Sequence, residues 1–252
     1  FAGGTVVHIN AGVAGLVLVL LIGARKGFGK EPMRPHNLPF VMLGAALLWF
    51  GWFGFNAGSA FGANETAGLA WVNTTSAAAA AILGWLVTEK IRDGHATSLG
   101  AASGVVAGLV AITPAAGALS PVGAIILGAV AGALCALAVG LKYRFGYDDS
   151  LDVVGVHLVG GLVGTIGIGF LATEGGLFYG DGGKLLVIQV VVALVAVIFS
   201  GVVTLVVGLA IKATLGWRIT EDQEVGGIDL AVHGESAYET LGGGRVIKEV
   251  RS

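Results

Sequence analysis

The sequence predicts an all-α, polytopic bundle of transmembrane helices. Three observations carry the prediction: few charges, apolar runs of about 20 residues between short polar loops, and a large excess of glycine. Of 252 residues, 55% are hydrophobic and 12% are charged, with a mean hydropathy of +0.88, whereas a soluble domain carries about 25% charged residues. Runs of this length match a hydrocarbon core roughly 30 Å thick. Lipid offers the backbone no hydrogen-bond partner, so each run must satisfy its own N–H and C=O groups as a helix. A barrel would need alternating strands of ~10 residues, and the sequence has none. The 44 glycines far exceed the usual ~7%, and in a membrane bundle glycine lets backbones approach closely. Gly100, Gly104 and Gly108 form a small-xxx-small ladder, and the pairs Gly160/Gly164, Gly128/Gly132 and Gly54/Gly58 repeat its spacing. All are expected to be packing positions of a tight bundle.

Seven spans follow in order, at about 1–24, 38–61, 66–88, 97–113, 119–141, 153–173 and 185–214. Residues 1–216 read as one transmembrane domain and 217–252 as a polar tail. The first span opens on Phe1-Ala2-Gly3-Gly4, without Met and already apolar. The expectation is a chain that begins partway through a longer polypeptide, with N-terminal spans missing. Arg25, Lys26, Lys30 and Arg34 follow the first span, and no basic residue follows the second. Lys90 and Arg92 follow the third, none the fourth, Lys142 and Arg144 the fifth, and only Lys184 the sixth. Lys212, Arg218, Arg245, Lys248 and Arg251 lie at the end of the seventh and in the tail. Cytoplasmic loops carry the excess of Lys and Arg, so the odd loops and the tail are expected in the cytoplasm.

The net charge of −2 favours neither nucleic acid nor a soluble partner. Cys135 is the one cysteine, so no disulfide framework or cysteine metal site can be built. No paired carboxylates, nucleophile motif or cofactor loop occurs within a span, which argues against an enzyme and against a bound cofactor.

All 16 acidic and 14 basic residues fall in loops, at span ends or in the tail. His36, His95 and His233 do too, whereas His8 and His157 lie within apolar runs. An ionisable residue inside a membrane is expensive and points to function, although a lone one also reads as a neutral side chain satisfying a carbonyl. The two segments match: Val7-His8-Ile9-Asn10-Ala11-Gly12 and Val156-His157-Leu158-Val159-Gly160-Gly161 share the pattern V-H-aliphatic-x-small-G. The charge argument runs their spans in opposite directions, which suggests an inverted repeat with a site near the midplane. Imidazole donates from one nitrogen and accepts at the other, so two facing rings could share a proton along a narrow path. Two histidines without a carboxylate make a poor cation or zinc site. A small neutral or proton-exchanging solute fits better.

The second span carries Trp49-Phe50-Gly51-Trp52-Phe53-Gly54-Phe55-Asn56-Ala57-Gly58-Ser59. An interfacial aromatic belt accounts for such a cluster. A cation–π site with a nearby hydroxyl accounts for it equally. Trp52, Phe55 and Ser59 stand at i, i+3 and i+7, on one helix face.

At these residues the sequence resembles the ammonium transporter (Amt/Mep/Rh) family, in its bacterial or archaeal Amt branch. The resemblance rests on Phe1–Gly12, Trp52–Ala60 and Asp152–Gly161, and further on Ala78–Trp85, Gly108–Gly117 and His233–Tyr238, in collinear order along the chain. It implies the ammonium transporter fold, eleven spans with an inverted repeat, of which these seven would be the fifth to eleventh. It implies a plasma-membrane homotrimer with one pore per subunit. His8 and His157 would be the twin pore histidines, Trp52 and Ser59 part of an external ammonium recruitment site, and Phe55 one of two gate phenylalanines. The other gate phenylalanine, the remaining recruitment aromatics and a supporting aspartate would precede Phe1. Asp152 would lie at the cytoplasmic mouth, with Asp148 and Asp149 in a solvated loop. The resemblance further implies that ammonium is recruited outside and deprotonated. Ammonia then passes the histidines, and the proton follows separately. The tail resembles a regulatory segment through Gly226-Gly227-Ile228-Asp229 and His233-Gly234-Glu235, and implies a PII signal protein as partner at the cytoplasmic face. An ammonium sensor and a non-conducting scaffold are the competing readings.

Overall fold

The computed structural model describes residues 1–236 and Tyr238. Arg245, Lys248, Arg251 and the rest of the distal tail lie outside the described residues. Among the described residues, seven helices are long and apolar enough to cross a membrane: α1 (Thr5–Ile22), α2 (Leu38–Ala60), α3 (Glu65–Asp93), α4 (Ser98–Ala115), α5 (Pro121–Phe145), α6 (Val154–Leu171) and α7 (Lys184–Thr214). A short helix α8 (Glu221–Gly226) follows. The chain is a multi-pass, all-helical membrane protein, as its hydropathy requires.

Local chemistry sets the helix starts. The side chains of Asn37, Asn64, Thr97 and Ser120 each accept a hydrogen bond from a backbone N–H in the first turn of α2, α3, α4 and α5. Such caps satisfy amides that have no partner within a helix. Polar ends extend two helices past the apolar runs. α3 continues through Thr88–Asp93 to a left-handed Gly94, and α5 reaches Phe145. Helical hydrogen bonds hold regardless of side-chain polarity, so a helix outruns its hydrophobic stretch.

α4 is the central helix, largely buried among α2, α3, α5 and α6. The glycine ladder explains how it gets there. A Cβ on Gly104 or Gly108 would strike Ile82, Ala81 or Ala78 of α3. On Gly128 or Gly132 of α5 it would strike the Ala77 or Ala81 carbonyl, and on Gly164 of α6 the Ala111 carbonyl. The pair Gly54/Gly58 departs from expectation, because nothing lies within 4 Å of either position. That face of α2 is not packed against any described residue. α7 lies at the periphery against α1 and α6, burying Ala193, Ser200 and Gly208.

The described part of the tail is mostly exposed but is tied to the end of α1. Arg218 donates to the Ile22 and Ala24 carbonyls at 3.0 and 2.8 Å and pairs with Glu224 at 3.0 Å. Glu224 accepts from the Lys26 backbone N–H at 2.7 Å, and Lys26 also pairs with Glu221. Thr220 and Gln223 cap α8 reciprocally. The C-terminal end of α1 is thereby tied to the tail.

Candidate functional site

The two intramembrane histidines meet. His8 Nδ1 lies 3.2 Å from His157 Nδ1, with ring centroids 5.4 Å apart. Each sits in a π-helical turn, Thr5–Ile9 at the start of α1 and Val154–Leu158 at the start of α6, as the fourth of its five residues. A π turn inserts an extra residue and re-aims its side chains, a feature concentrated at functional sites. The crossing is reciprocal. Gly12 of α1 packs on Leu158 of α6, and Gly161 of α6 packs on His8 and Ile9 of α1. Gly12 and Gly161 both stand four residues past their histidine, as Ile9 and Leu158 both stand one past it. This exchange of equivalent contacts is what a local two-fold axis between inverted segments produces. Thr5 and Thr165 join the same two helices through a 2.8 Å hydroxyl contact.

Trp52 of α2 forms a wall beside the pair. Its ring stacks on His8 at 5.5 Å and an interplanar angle of 15°. Its indole N–H donates to Thr113 Oγ1 at 2.8 Å, and the residue is buried. Phe55 lies 5.4 Å from Trp52 and 6.2 Å from His8, edge-on to the imidazole. Ser59 sits in the final turn of α2 and donates its hydroxyl proton to the Phe55 carbonyl at 2.7 Å. Its oxygen lone pairs remain free to accept from a cationic donor. His8 Nε2 is buried and has no hydrogen-bond partner among the described residues.

Just ahead of α6, at the same end as the π turn of His157, the aspartates are engaged. Asp148 and Asp149 are buried, which corrects the expectation of a solvated loop. Asp149 accepts from Val153 N and Val154 N at 2.9 and 2.7 Å, capping the π turn of His157. Asp148 accepts three bonds from Arg25, at 2.8 Å from its backbone N–H, 2.7 Å from Nε and 2.7 Å from Nη2. Burial alone would raise the Asp148 carboxyl, but the hydrogen bonds and charge of Arg25 outweigh it and hold the carboxyl below the ordinary carboxylate range. Asp152 has a left-handed backbone, φ 58°, and its carboxylate pairs with Lys142 at 2.7 Å. There burial wins over Lys142, and the carboxyl is raised. Among the described residues no group of three or more His, Cys, Asp or Glu could hold a metal ion.

Sequence reasoning did not single out Thr113, Arg25 or the π turns. The Thr113-Pro114 doublet marks a helix end, because proline lacks the N–H that continues a helix. Nothing local marks Arg25 as the partner of Asp148, 123 residues away.

The description of the Ammonium Transporter Family matches residues 1–238. An ammonium transporter of Mycobacterium tuberculosis is 58% identical over 251 residues, covering 95% of this chain and 53% of that protein. A solved structure described as a sensor Amt protein superposes with a TM-score of 0.84 at 31% identity, over 92% of this chain and 59% of the other. Mep2 of Candida albicans superposes with a TM-score of 0.80 at 35% identity, over 88% and 53%. The chain thus spans about half the length of the relatives it matches. The Mycobacterium tuberculosis relative is named as a transporter rather than as an enzyme, and the family match runs from the first residue through every span and across both histidines. The chain belongs to the ammonium transporter family.

Proposed function

We propose that the protein conducts ammonium-derived ammonia across the plasma membrane along the His8–His157 pair. The 3.2 Å contact between the two Nδ1 atoms carries this reading. Two nitrogens at that distance require one donor and one acceptor. One ring therefore holds its proton on Nδ1 and the other on Nε2. The outward Nε2 atoms then offer one acceptor and one donor, which suits ammonia, a molecule with three N–H groups and one lone pair. An unpaired ion in hydrocarbon carries a large solvation penalty, so ammonium gives up its proton before this point. A separate route for that proton is a relay: the unprotonated Nε2 of one ring takes it up, the shared proton crosses to the other Nδ1, and the second ring releases its Nε2 proton.

Ser59, Phe55 and Trp52 form the recruitment and gate region. The Ser59 oxygen accepts from ammonium, the Trp52 ring attracts the cation and continues the aromatic wall to His8, and Phe55 is a gate residue edge-on to that imidazole. Asp152 marks the cytoplasmic mouth, because the basic loops after α1, α3 and α5 face inward. Residues 1–216 form the conducting domain and 217–252 a regulatory tail. A homotrimer and a PII-type regulator at the cytoplasmic face complete the assembly. The likeness to a sensor Amt protein favours a second reading, in which ammonium occupancy is signalled through the tail that α8 ties to α1.

The test is ammonium-driven current through the native polypeptide in liposomes. His157→Ala is expected to reduce the current about tenfold, the size of one lost hydrogen-bonding partner. Ser59→Ala is expected to raise the half-saturating ammonium concentration about tenfold, since it removes an acceptor for a charged donor. Currents that match wild type in both variants would reject the pathway. A wild type that carries no current but still changes tail accessibility on ammonium addition would favour the sensor.

A further inference from the structure

We infer that Thr113 is a positioning residue for the histidine pair, holding the Trp52 indole in the plane that stacks on His8. The inference rests on the reading of His8 and His157 as the conducting pair. It assigns work to the Thr113-Pro114 doublet of the Gly108–Gly117 motif, which has no part in the proposed conduction.

The hydrogen-bond directions are unambiguous. Thr113 has one hydroxyl proton and donates it to the Leu109 carbonyl at 2.6 Å. It therefore accepts, at 2.8 Å, from Trp52 Nε1–H, which can only donate. Thr113 is fully buried and Trp52 is 8% exposed, so water does not compete. The χ2 torsion of an aromatic side chain has a broad profile, and apolar neighbours resist its rotation without direction. The N–H···O bond is directional and selects one ring plane. That plane lies 15° from the imidazole of His8.

Thr113 is itself well placed to act as an anchor. It opens the 3-10 turn Thr113–Ala115 that closes α4. Asn73 donates to the Ala116 and Leu119 carbonyls at 2.9 and 2.7 Å and pins the turn to α3. Gly4 packs directly on Pro114, where a Cβ would sit 2.7 Å from Pro114 Cα. One turn of α4 thus fixes the backbone entering α1 ahead of His8 and also the ring stacked on His8. A threonine bonded back to its own helix is ordinary in membrane helices, and Thr75, Thr88 and Thr214 make such bonds. Those three receive no side-chain donor among the described residues, whereas Thr113 receives the indole and Thr74, bonded back to the Ala70 carbonyl, receives the Asn56 amide; of these two acceptors Thr113 is the one whose donor stacks on His8.

The experiment measures ammonium conductance of the native polypeptide in proteoliposomes. Thr113→Val keeps the shape and leaves the buried indole N–H without an acceptor, with an expected loss of about tenfold. Thr113→Ser keeps the hydroxyl and is expected within about twofold of wild type. In a Trp52→Phe background, which has no N–H, Thr113→Val is expected to add no more than about twofold, because the two residues act through one bond. Replacing Trp52 by benzothienylalanine removes the N–H at nearly constant shape and is expected to repeat the tenfold loss. It decides the matter if Thr113→Val does not insert. Wild-type conductance in Thr113→Val or with benzothienylalanine overturns the inference alone, as does a full tenfold loss in the Trp52→Phe background. An unchanged His157→Ala in the same assay overturns the conduction reading and this inference with it.

Discussion

Gly12→Val is expected to abolish transport and to leave little folded protein. A Cβ at Gly12 would sit 2.5 Å from Leu158 Cβ and 2.7 Å from Leu158 Cα, and closer still to the Leu158 backbone nitrogen. Backbone atoms of a π turn cannot rotate aside as the end of a long side chain can. Relief requires α1 and α6 to separate by about 1 Å, the gap between that contact and an ordinary carbon–carbon one. The His8–His157 contact, at 3.2 Å, tolerates only a few tenths of an ångström before the hydrogen bond is lost. Overpacking by one methyl typically costs about 1–3 kcal/mol, and valine adds a branched pair against rigid atoms. Gly161→Ala provides the internal comparison. Its Cβ would meet His8 Cβ and Ile9 Cγ1 at 3.1 Å, so small adjustments suffice. Thermal unfolding in detergent and ammonium current should rank wild type above Gly161→Ala, and Gly161→Ala far above Gly12→Val. A Gly12→Val protein with wild-type melting and current would contradict the close crossing of α1 and α6.

Arg25→Ala is expected to destabilise the protein by about 3 kcal/mol at neutral pH, the lower end of the range for breaking a buried ion pair. The lower end applies because the Arg25 side chain is 45% exposed, while that of Asp148 is 2% exposed, so water enters as the guanidinium leaves. The pH dependence carries a definite sign. In the wild type the folded Asp148 carboxyl lies below its unfolded value. Its contribution is therefore fully present above about pH 4, the unfolded carboxylate range. It is lost as pH falls through the lower folded value. In Arg25→Ala, burial acts without its main opposing partner and raises the folded carboxyl. The variant then loses stability as pH rises through the unfolded range. The gap between wild type and variant should be widest near neutrality and shrink towards pH 3. Asp148→Asn in the Arg25→Ala background should recover part of the loss by removing the unpaired charge. A gap independent of pH would show that the Arg25–Asp148 pair contributes no electrostatic stabilisation.

The spans were legible in the sequence because their cause is local. A backbone in lipid must hydrogen-bond to itself, and the residues that start each helix are adjacent to it in the chain. Asn64 and Thr97 cap α3 and α4 from immediately before their first turns. The histidines were legible for a related reason: against an apolar background, His8 and His157 are conspicuous, and their flanking residues repeat. Asp148 was not legible. A charged residue in a loop reads as solvated, and its burial depends on a guanidinium from a distant helix end. Trp52 was half legible. Its position on the face of Phe55 and Ser59 follows from helical spacing, but its stacking on His8 and its bond to Thr113 bring together three separate helices.

Taken by itself, the amino-acid sequence determined the membrane class, the number and approximate limits of the helices, and the pairing of two equivalent histidine segments. Only the tertiary structure decided that the rings meet through Nδ1, that both sit in π turns, that Gly12 and Gly161 exchange contacts across the crossing, and that α4 supplies the anchor beside them. The physical reason lies in the solvent. In a bilayer, the apolar faces of neighbouring helices are as comfortable against lipid as against each other, so hydrophobicity does not choose which faces meet. That choice falls to close backbone approach at small residues and to a few directional hydrogen bonds between distant segments, and neither can be read from a single run of sequence.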